Sequence, residues 1–170
     1  HVRSTIPVVA DGMHRLYGEH ALLDADATFC DFHLGLLPRR GWKGPQCELD
    51  VDGLRPFTPL ARNEAFALFE WGLNWCVTSH CHGWITVHAA VLERAGQAVL
   101  LPGPPGSGKS TLCAWLMHQG WRLLSDELAL LDPMHGHLSA SPRPVSLKNR
   151  SIEVIAQRVE GAVIGPVAHD

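Results

Sequence analysis

The chain has 170 residues (18.6 kDa), 46% hydrophobic and 18% charged, with a formal net charge of −3. A chain of this size hides roughly 68–70% of its unfolded surface, so a core forms without metal or disulfide staples, and the composition excludes a disordered class. No apolar run approaches the roughly 18 residues of a membrane-spanning helix, and Lys and Arg are scattered rather than gathered into the basic stripe that nucleic-acid binding needs.

In chain order, residues 1–57 alternate short apolar stretches (Ile6–Ala10, Ala27–Phe32) with turn clusters such as Asp11-Gly12 and Pro38-Arg39-Arg40-Gly41. This predicts a small N-terminal module rich in strands, the β part of an α+β unit. From residue 58 a second domain is expected to run to 170. Thr58-Pro59 has the residue types of a helix start, and Phe66, Phe69, Leu73 and Cys76 recur at helical spacing between Asn63 and His80. Ile85, Val87, Ala89 and Val91 then alternate as a strand over 84–93, and Gln97–Leu101 reads as its partner. The short link Arg94-Ala95-Gly96 allows only an antiparallel hairpin. Five cysteines, an odd number with no C-x-x-C pair, predict reduced thiols and a cytoplasmic protein.

The second strand leads into Gly103-Pro104-Pro105-Gly106-Ser107-Gly108-Lys109-Ser110, which fits G-x-x-x-x-G-K-[ST] at every fixed position. Glycines let backbone N–H groups turn in around phosphate oxygens where a side chain would block them. Lys109 brings charge to the β- and γ-phosphates, Ser110 a hydroxyl for Mg²⁺, and Thr111 a further phosphate contact. A helical segment (Leu112, Trp115, Leu116, stopped by Gly120) supplies its positive N-terminal dipole behind the loop. ATP and Mg²⁺ are therefore the expected ligands.

Trp121–Ser125 reads as another strand, ending in Asp126-Glu127. Phosphoryl transfer needs one carboxylate near the metal and one to accept a proton from the attacking hydroxyl, and adjacent acids at a strand end can divide these tasks. The plainer reading of such a pair is a solvated turn or a helix cap. Arg143 and Lys148 are candidate cationic contacts to a phosphoryl group or substrate, with ordinary surface charge as the alternative.

Thr86-Val87-His88-Ala89, the hairpin, the phosphate loop and Gly120–Glu127 resemble the catalytic domain of bacterial HPr serine kinase/phosphorylase over about residues 84–135. The stretch Arg143-Pro144-Val145-Ser146-Leu147-Lys148-Asn149 is closer still to the HPr-kinase-related kinase A group, associated with exosortase and PEP-CTERM systems. The resemblance implies an α/β P-loop kinase of the HPr kinase/phosphoenolpyruvate carboxykinase-like type with a mixed sheet. It implies Asp126 as the general base, Glu127 as a metal-side acid and His88 as a histidine close to the reacting phosphate; a histidine in a strand is also readable as a structural, hydrogen-bonded group. A protein serine would be the acceptor, and the hexamer of HPr kinase implies a homo-oligomer. Thr111 stands where HPr kinase carries an acid, so its phosphorylase activity and its preference for HPr do not carry over. The family's domain runs past the position of Asp170, and residues 163–170 read as the entry to a further loop.

The sequence thus predicts an ATP- and Mg²⁺-dependent phosphotransferase to a hydroxyl. The alternatives are a small-molecule kinase, for instance of free serine, and an ATP-binding regulatory or scaffold protein without transfer. Neither nucleic-acid binding nor membrane insertion is expected.

Overall fold

The structure is a computed structural model that describes residues 1–21, 23, 29–42, 44–141, 145–148 and 150–159. Its described contacts divide the chain between His80 and Cys81 into two compact units.

In the first unit, β1 (Val2–Ser4), helix α1 (Pro7–Tyr17), the hairpin β2 (Leu34–Gly41) and β3 (Gly44–Val51), and the short β4 (Leu60–Ala61) precede a 3-10 turn (Arg62–Glu64) and helix α2 (Ala65–His80). The strands lie in the order β1-β2-β3-β4, with β1 parallel to β2 and the other pairs antiparallel. Alternation builds its single core face: Leu34, Leu36, Cys47, Leu49 and Val51 are buried, while Glu48 and Asp50 face away and meet Arg55. Ile6 and Val9 of the α1 region and Phe66, Leu68, Phe69 and Cys76 of α2 close that face. The helix sits close because Gly12 of α1 leaves no side chain: a Cβ there would fall 2.2 Å from the Phe66 ring.

Two features differ from expectation. Residues 7–17 form a helix where the apolar run Ile6–Ala10 suggested a strand; Pro7 opens its first turn, and Val9, Gly12, Met13, Leu16 and Tyr17 recur at helical spacing. Thr58-Pro59 does not start α2. The chain first adds β4, and Glu64 Oε2 accepts the N–H of Ala61 at 3.1 Å before the helix begins. Since α2 covers the first sheet, residues 58–80 group with the N-terminal strands, and the division falls at 80/81 rather than after 57. Of the stretch Ala27–Phe32, residues 27 and 28 lie outside the described residues.

The second unit is organised around one long strand, β5 (Ile85–Arg94). β6 (Gln97–Pro102) pairs with its second half on one side, in register from Arg94↔Gln97 to Ala89↔Pro102. On the other side β5 meets β7 (Arg122–Ser125) and then β8 (Leu128–Leu131), with a bulge that shifts the register between Leu92↔Leu123 and Val91↔Ser125. β9 (Leu138–Ser139) completes the sheet. Every described pairing in this unit is antiparallel; with the parallel pair β1–β2 of the first unit, the described chain is mixed α/β with parallel and antiparallel pairing, as the sequence predicts in outline.

Helix α3 (Lys109–Met117) links β6 to β7, and α4 (Arg150–Arg158) follows the sheet. Because β6 and β7 are both antiparallel to β5, they run in the same direction on either side of it. Their C-terminal ends, Pro102 and Ser125, therefore emerge at one edge. Ala90, Leu92 and Cys113 form the buried cluster between α3 and the sheet, joined by Leu101, Leu116, Leu123 and Val145.

Candidate nucleotide site

At that edge Pro102 releases the loop Gly103–Gly108, and Gly108 starts α3. Gly106 (φ 81°) and Gly108 (φ 90°, ψ 10°) occupy left-handed conformations, which is the backbone reason for glycine in the motif. Ser107 N–H donates to the Pro104 carbonyl (3.3 Å), and the first helical bond runs from Leu112 N–H to the Gly108 carbonyl (2.9 Å). The amides of Lys109, Ser110 and Thr111 at the start of α3 thus have no partner within the helix, as at any helix N-terminus, and are oriented for an anion. Lys109 curls back over the loop: its Nζ donates to the carbonyls of Gly103 (2.6 Å) and Pro104 (3.2 Å). The loop's single cation is therefore held above the glycine backbone.

Asp126 approaches from the other side of β5. The chain breaks its pairing at Asp126-Glu127 between β7 and β8, and Ser125 Oγ spans the break by accepting the N–H of Leu128 (3.1 Å). Counting from Val91↔Ser125 and His88↔Leu128 places Asp126 opposite Ala90, on the α3 face. Asp126 is buried, at 4% exposure. Its Oδ2 accepts the Ser110 hydroxyl (3.4 Å) and the Ser146 backbone N–H (2.8 Å). The Cys113 thiol, buried beneath, is pushed up to about 12, by burial first and by the Asp126 charge second.

Among the sequence candidates, Lys109, Ser110 and the loop glycines therefore gather with Asp126. His88 is exposed on the face of β5 shared with Ala90, diagonal to Asp126. Glu127 is half-buried, and its carbonyl accepts the N–H of Ala89 (3.1 Å). The Ser110 hydroxyl meets Asp126, so the residue expected as base touches the residue expected beside the metal. Lys148 is exposed, and its N–H donates to Ser151 Oγ (2.9 Å) at the approach to α4. Arg143 lies outside the described residues.

Sequence reasoning missed Ser125 and Ser146 as supports of Asp126. Ser125 had a legible signal, a small hydroxyl directly before a break in a strand. Ser146 acts through a main-chain N–H and has no residue-type signature.

Ser110 Oγ and Asp126 Oδ2 form a pair of hard oxygen donors beside the loop, the donor chemistry that suits Mg²⁺. Among the described residues no group of three or more His, Cys, Asp and Glu side chains assembles into a metal cluster, and no helix is long and apolar enough to cross a membrane.

Residues 69–151 match the family model of ScmC, the SynChlorMet cassette protein. This stretch takes in most of α2 and the second unit as far as the start of α4, including the whole loop and Asp126. No match was found among curated proteins or among solved structures.

Proposed function

We propose that this chain is an ATP- and Mg²⁺-dependent phosphotransferase of the P-loop kinase type that moves the γ-phosphoryl group to a hydroxyl, that of a protein serine. The observation that carries the reading is the hydrogen bond between Ser110 and Asp126, which joins the hydroxyl of the phosphate-loop motif to a buried carboxylate from the far side of β5. A glycine turn of purely structural use has no need of that partner.

In this reading the amides of Gly106–Thr111 and Lys109 Nζ bind phosphate oxygens, Lys109 exchanging its bonds to Gly103 and Pro104 for the ligand. Ser110 and Asp126 hold Mg²⁺, which neutralises phosphate charge when bound. The Ser146 amide and the Ser125 clamp fix the Asp126 carboxylate so that reorientation costs nothing at the moment of reaction. His88, on the same face, faces the acceptor side. The resemblance to HPr kinase supplies the serine; the geometry itself supports phosphoryl transfer.

The test is Asp126→Asn in two assays. Calorimetric titration with ATP, with and without Mg²⁺, is expected to give Mg²⁺-dependent binding in the parent and to lose that dependence in the variant. Transfer from γ-³²P-ATP to lysate proteins or to free serine should fall by orders of magnitude. Transfer to serine alone would make the chain a metabolite kinase. Tight binding without transfer in either tube would replace the reading with a regulatory one, and no ATP binding at all would end it.

A further inference from the structure

Ser141 and residues 145–148 belong to no helix or strand, yet they are tied to the end of β7 at two points. Ser141 N–H donates to the Leu124 carbonyl (2.9 Å), and Ser146 N–H donates to Asp126 Oδ2 (2.8 Å). Val145 packs into the cluster of Ala90, Leu92 and Cys113 between α3 and the sheet. From Lys148 this strap turns into α4. Lys148 N–H donates to Ser151 Oγ (2.9 Å), Ser151 N–H donates to the Lys148 carbonyl (3.1 Å), and α4 packs on α3, the helix that begins in the phosphate loop.

The ties are unequal. The bond to Leu124 joins two neutral main-chain groups, and Val145 is only half-buried. The bond to Asp126 has an ionised acceptor, which makes it roughly twice as strong as a neutral one. A strap with few contacts and one dominant tie is an element that opens and closes locally, without unfolding the sheet beneath it. The same carboxylate oxygen is the proposed partner of Mg²⁺. Oδ2 has two lone pairs: Ser146 N–H occupies one, and the Ser110 hydroxyl, on the loop side, occupies the other (3.4 Å). A cation at the loop takes the place of the hydroxyl hydrogen and leaves the amide where it is. Metal and strap therefore hold opposite sides of one oxygen.

We propose that docking of this strap and binding of Mg²⁺–nucleotide at the loop stabilise each other through Asp126, so that the segment leading into α4 responds to the ligand state of the loop. The inference rests on the proposed nucleotide site. A carboxylate held by Ser146 offers the metal a fixed lone pair, and a carboxylate held by the metal offers Ser146 a fixed acceptor. Linkage makes the two effects equal. Groups that orient a ligating side chain contribute about 10–100-fold to metal affinity, so Mg²⁺–nucleotide should tighten the strap by that factor.

Hydrogen–deuterium exchange of the full chain, read on peptides covering 145–148 with β8 as the internal reference, measures strap opening. Calorimetric titration with ATP and MgCl₂ measures binding. In the parent, Mg–ATP should slow strap exchange about 10–100-fold, ATP with EDTA should slow it far less, and β8 should not change. Asp126→Asn leaves a neutral acceptor; it should speed strap exchange in the free protein and abolish the Mg²⁺-dependent slowing. Ser146→Pro removes the amide hydrogen and should raise the dissociation constant of Mg–ATP about 10–100-fold. Because proline also restricts the backbone, Val145→Ala is measured beside it. That variant loosens the strap at the α3 cluster instead of at Asp126, so exchange should start faster and still be slowed by Mg–ATP. A parent that binds Mg–ATP with unchanged strap exchange overturns the inference and leaves the nucleotide site standing. So does an Asp126→Asn strap that exchanges at the parent rate in the free protein. A parent that does not bind Mg–ATP overturns both.

Discussion

Helix α3 carries a left-handed glycine at each end, which makes a matched experiment possible. Gly108 (φ 90°) precedes the helix within the loop, and Gly120 (φ 84°) follows it before β7; an added Cβ at either meets nothing within 4 Å. Alanine at each position therefore pays for its backbone conformation alone, about 1–2 kcal/mol. The two should express that cost differently. Gly120 is fixed between bonds from its own N–H to the Met117 carbonyl (3.1 Å) and from Trp121 N–H to the Leu116 carbonyl (3.2 Å). Gly120→Ala should therefore lose the whole amount as stability, a fall in melting temperature of about 2–4 °C per kcal/mol, with unchanged ATP affinity. The Gly108 loop has open space around it, so Gly108→Ala relaxes in the free protein and meets the strain again when phosphate requires the original turn. Its ATP dissociation constant should rise roughly 5–30-fold, the same 1–2 kcal/mol expressed as affinity. Urea denaturation and calorimetric titration of both variants measure the two quantities. Parent-like ATP binding by G108A, or equal loss of affinity in G120A, would refute the assignment of this loop as a phosphate cradle.

Three further outcomes follow from geometry. Ala95 (φ 53°) and Gly96 (φ 78°) form the β5–β6 turn, and Asn suits the first position better than Ala, so Ala95→Asn should raise stability by about 0.5–1 kcal/mol in urea denaturation. Gly12→Ala should destabilise, because forcing a methyl into the Phe66 ring costs about 1–3 kcal/mol or more against about 1 kcal/mol of gained helix propensity; a variant more stable than the parent would contradict the α1–α2 packing. Cys113, protonated in the folded state up to about pH 12 against about 9 unfolded, contributes stability that is full below pH 9 and lost as pH rises toward 12. Unfolding free energy should thus fall by about 1.4 kcal/mol per pH unit above 9 from this group, and Cys113→Ala should flatten that slope.

The loop was legible because glycine identity encodes its conformation: Gly106 and Gly108 occur where the backbone needs positive φ. The β5–β6 hairpin was legible for the same reason, with alternation on one side of a two-residue turn and an apolar run on the other. Helix α1 was not, since five apolar or small residues from Ile6 to Ala10 satisfy either period, and only the continuation through Met13 and Leu16 decides between them. The placement of α2 depended on what its buried face meets, and spacing cannot distinguish one sheet from another. Around the site, Asp126 could be singled out by residue type and position. Its supports could not: the Ser146 amide arrives from twenty residues away through a main-chain atom that every residue but proline carries.

The slip in register between Leu92 and Val91 decides which side of the sheet receives the acid. A strand alternates its side chains, so each residue's side depends on whether an odd or even number of positions separates it from its last fixed pair. Leu124 is the supernumerary residue. With the slip, Asp126 falls opposite Ala90 and reaches Ser110; in a ladder continued unbroken from Leu92↔Leu123, Leu124 would face Val91 and Asp126 would fall opposite Ala89, towards the cluster of Val91 and Ala129 behind the sheet. The chemistry of the edge thus depends on parity: a ladder that absorbed Leu124 into regular pairing would turn the carboxylate away from the loop while leaving every motif residue in the sequence.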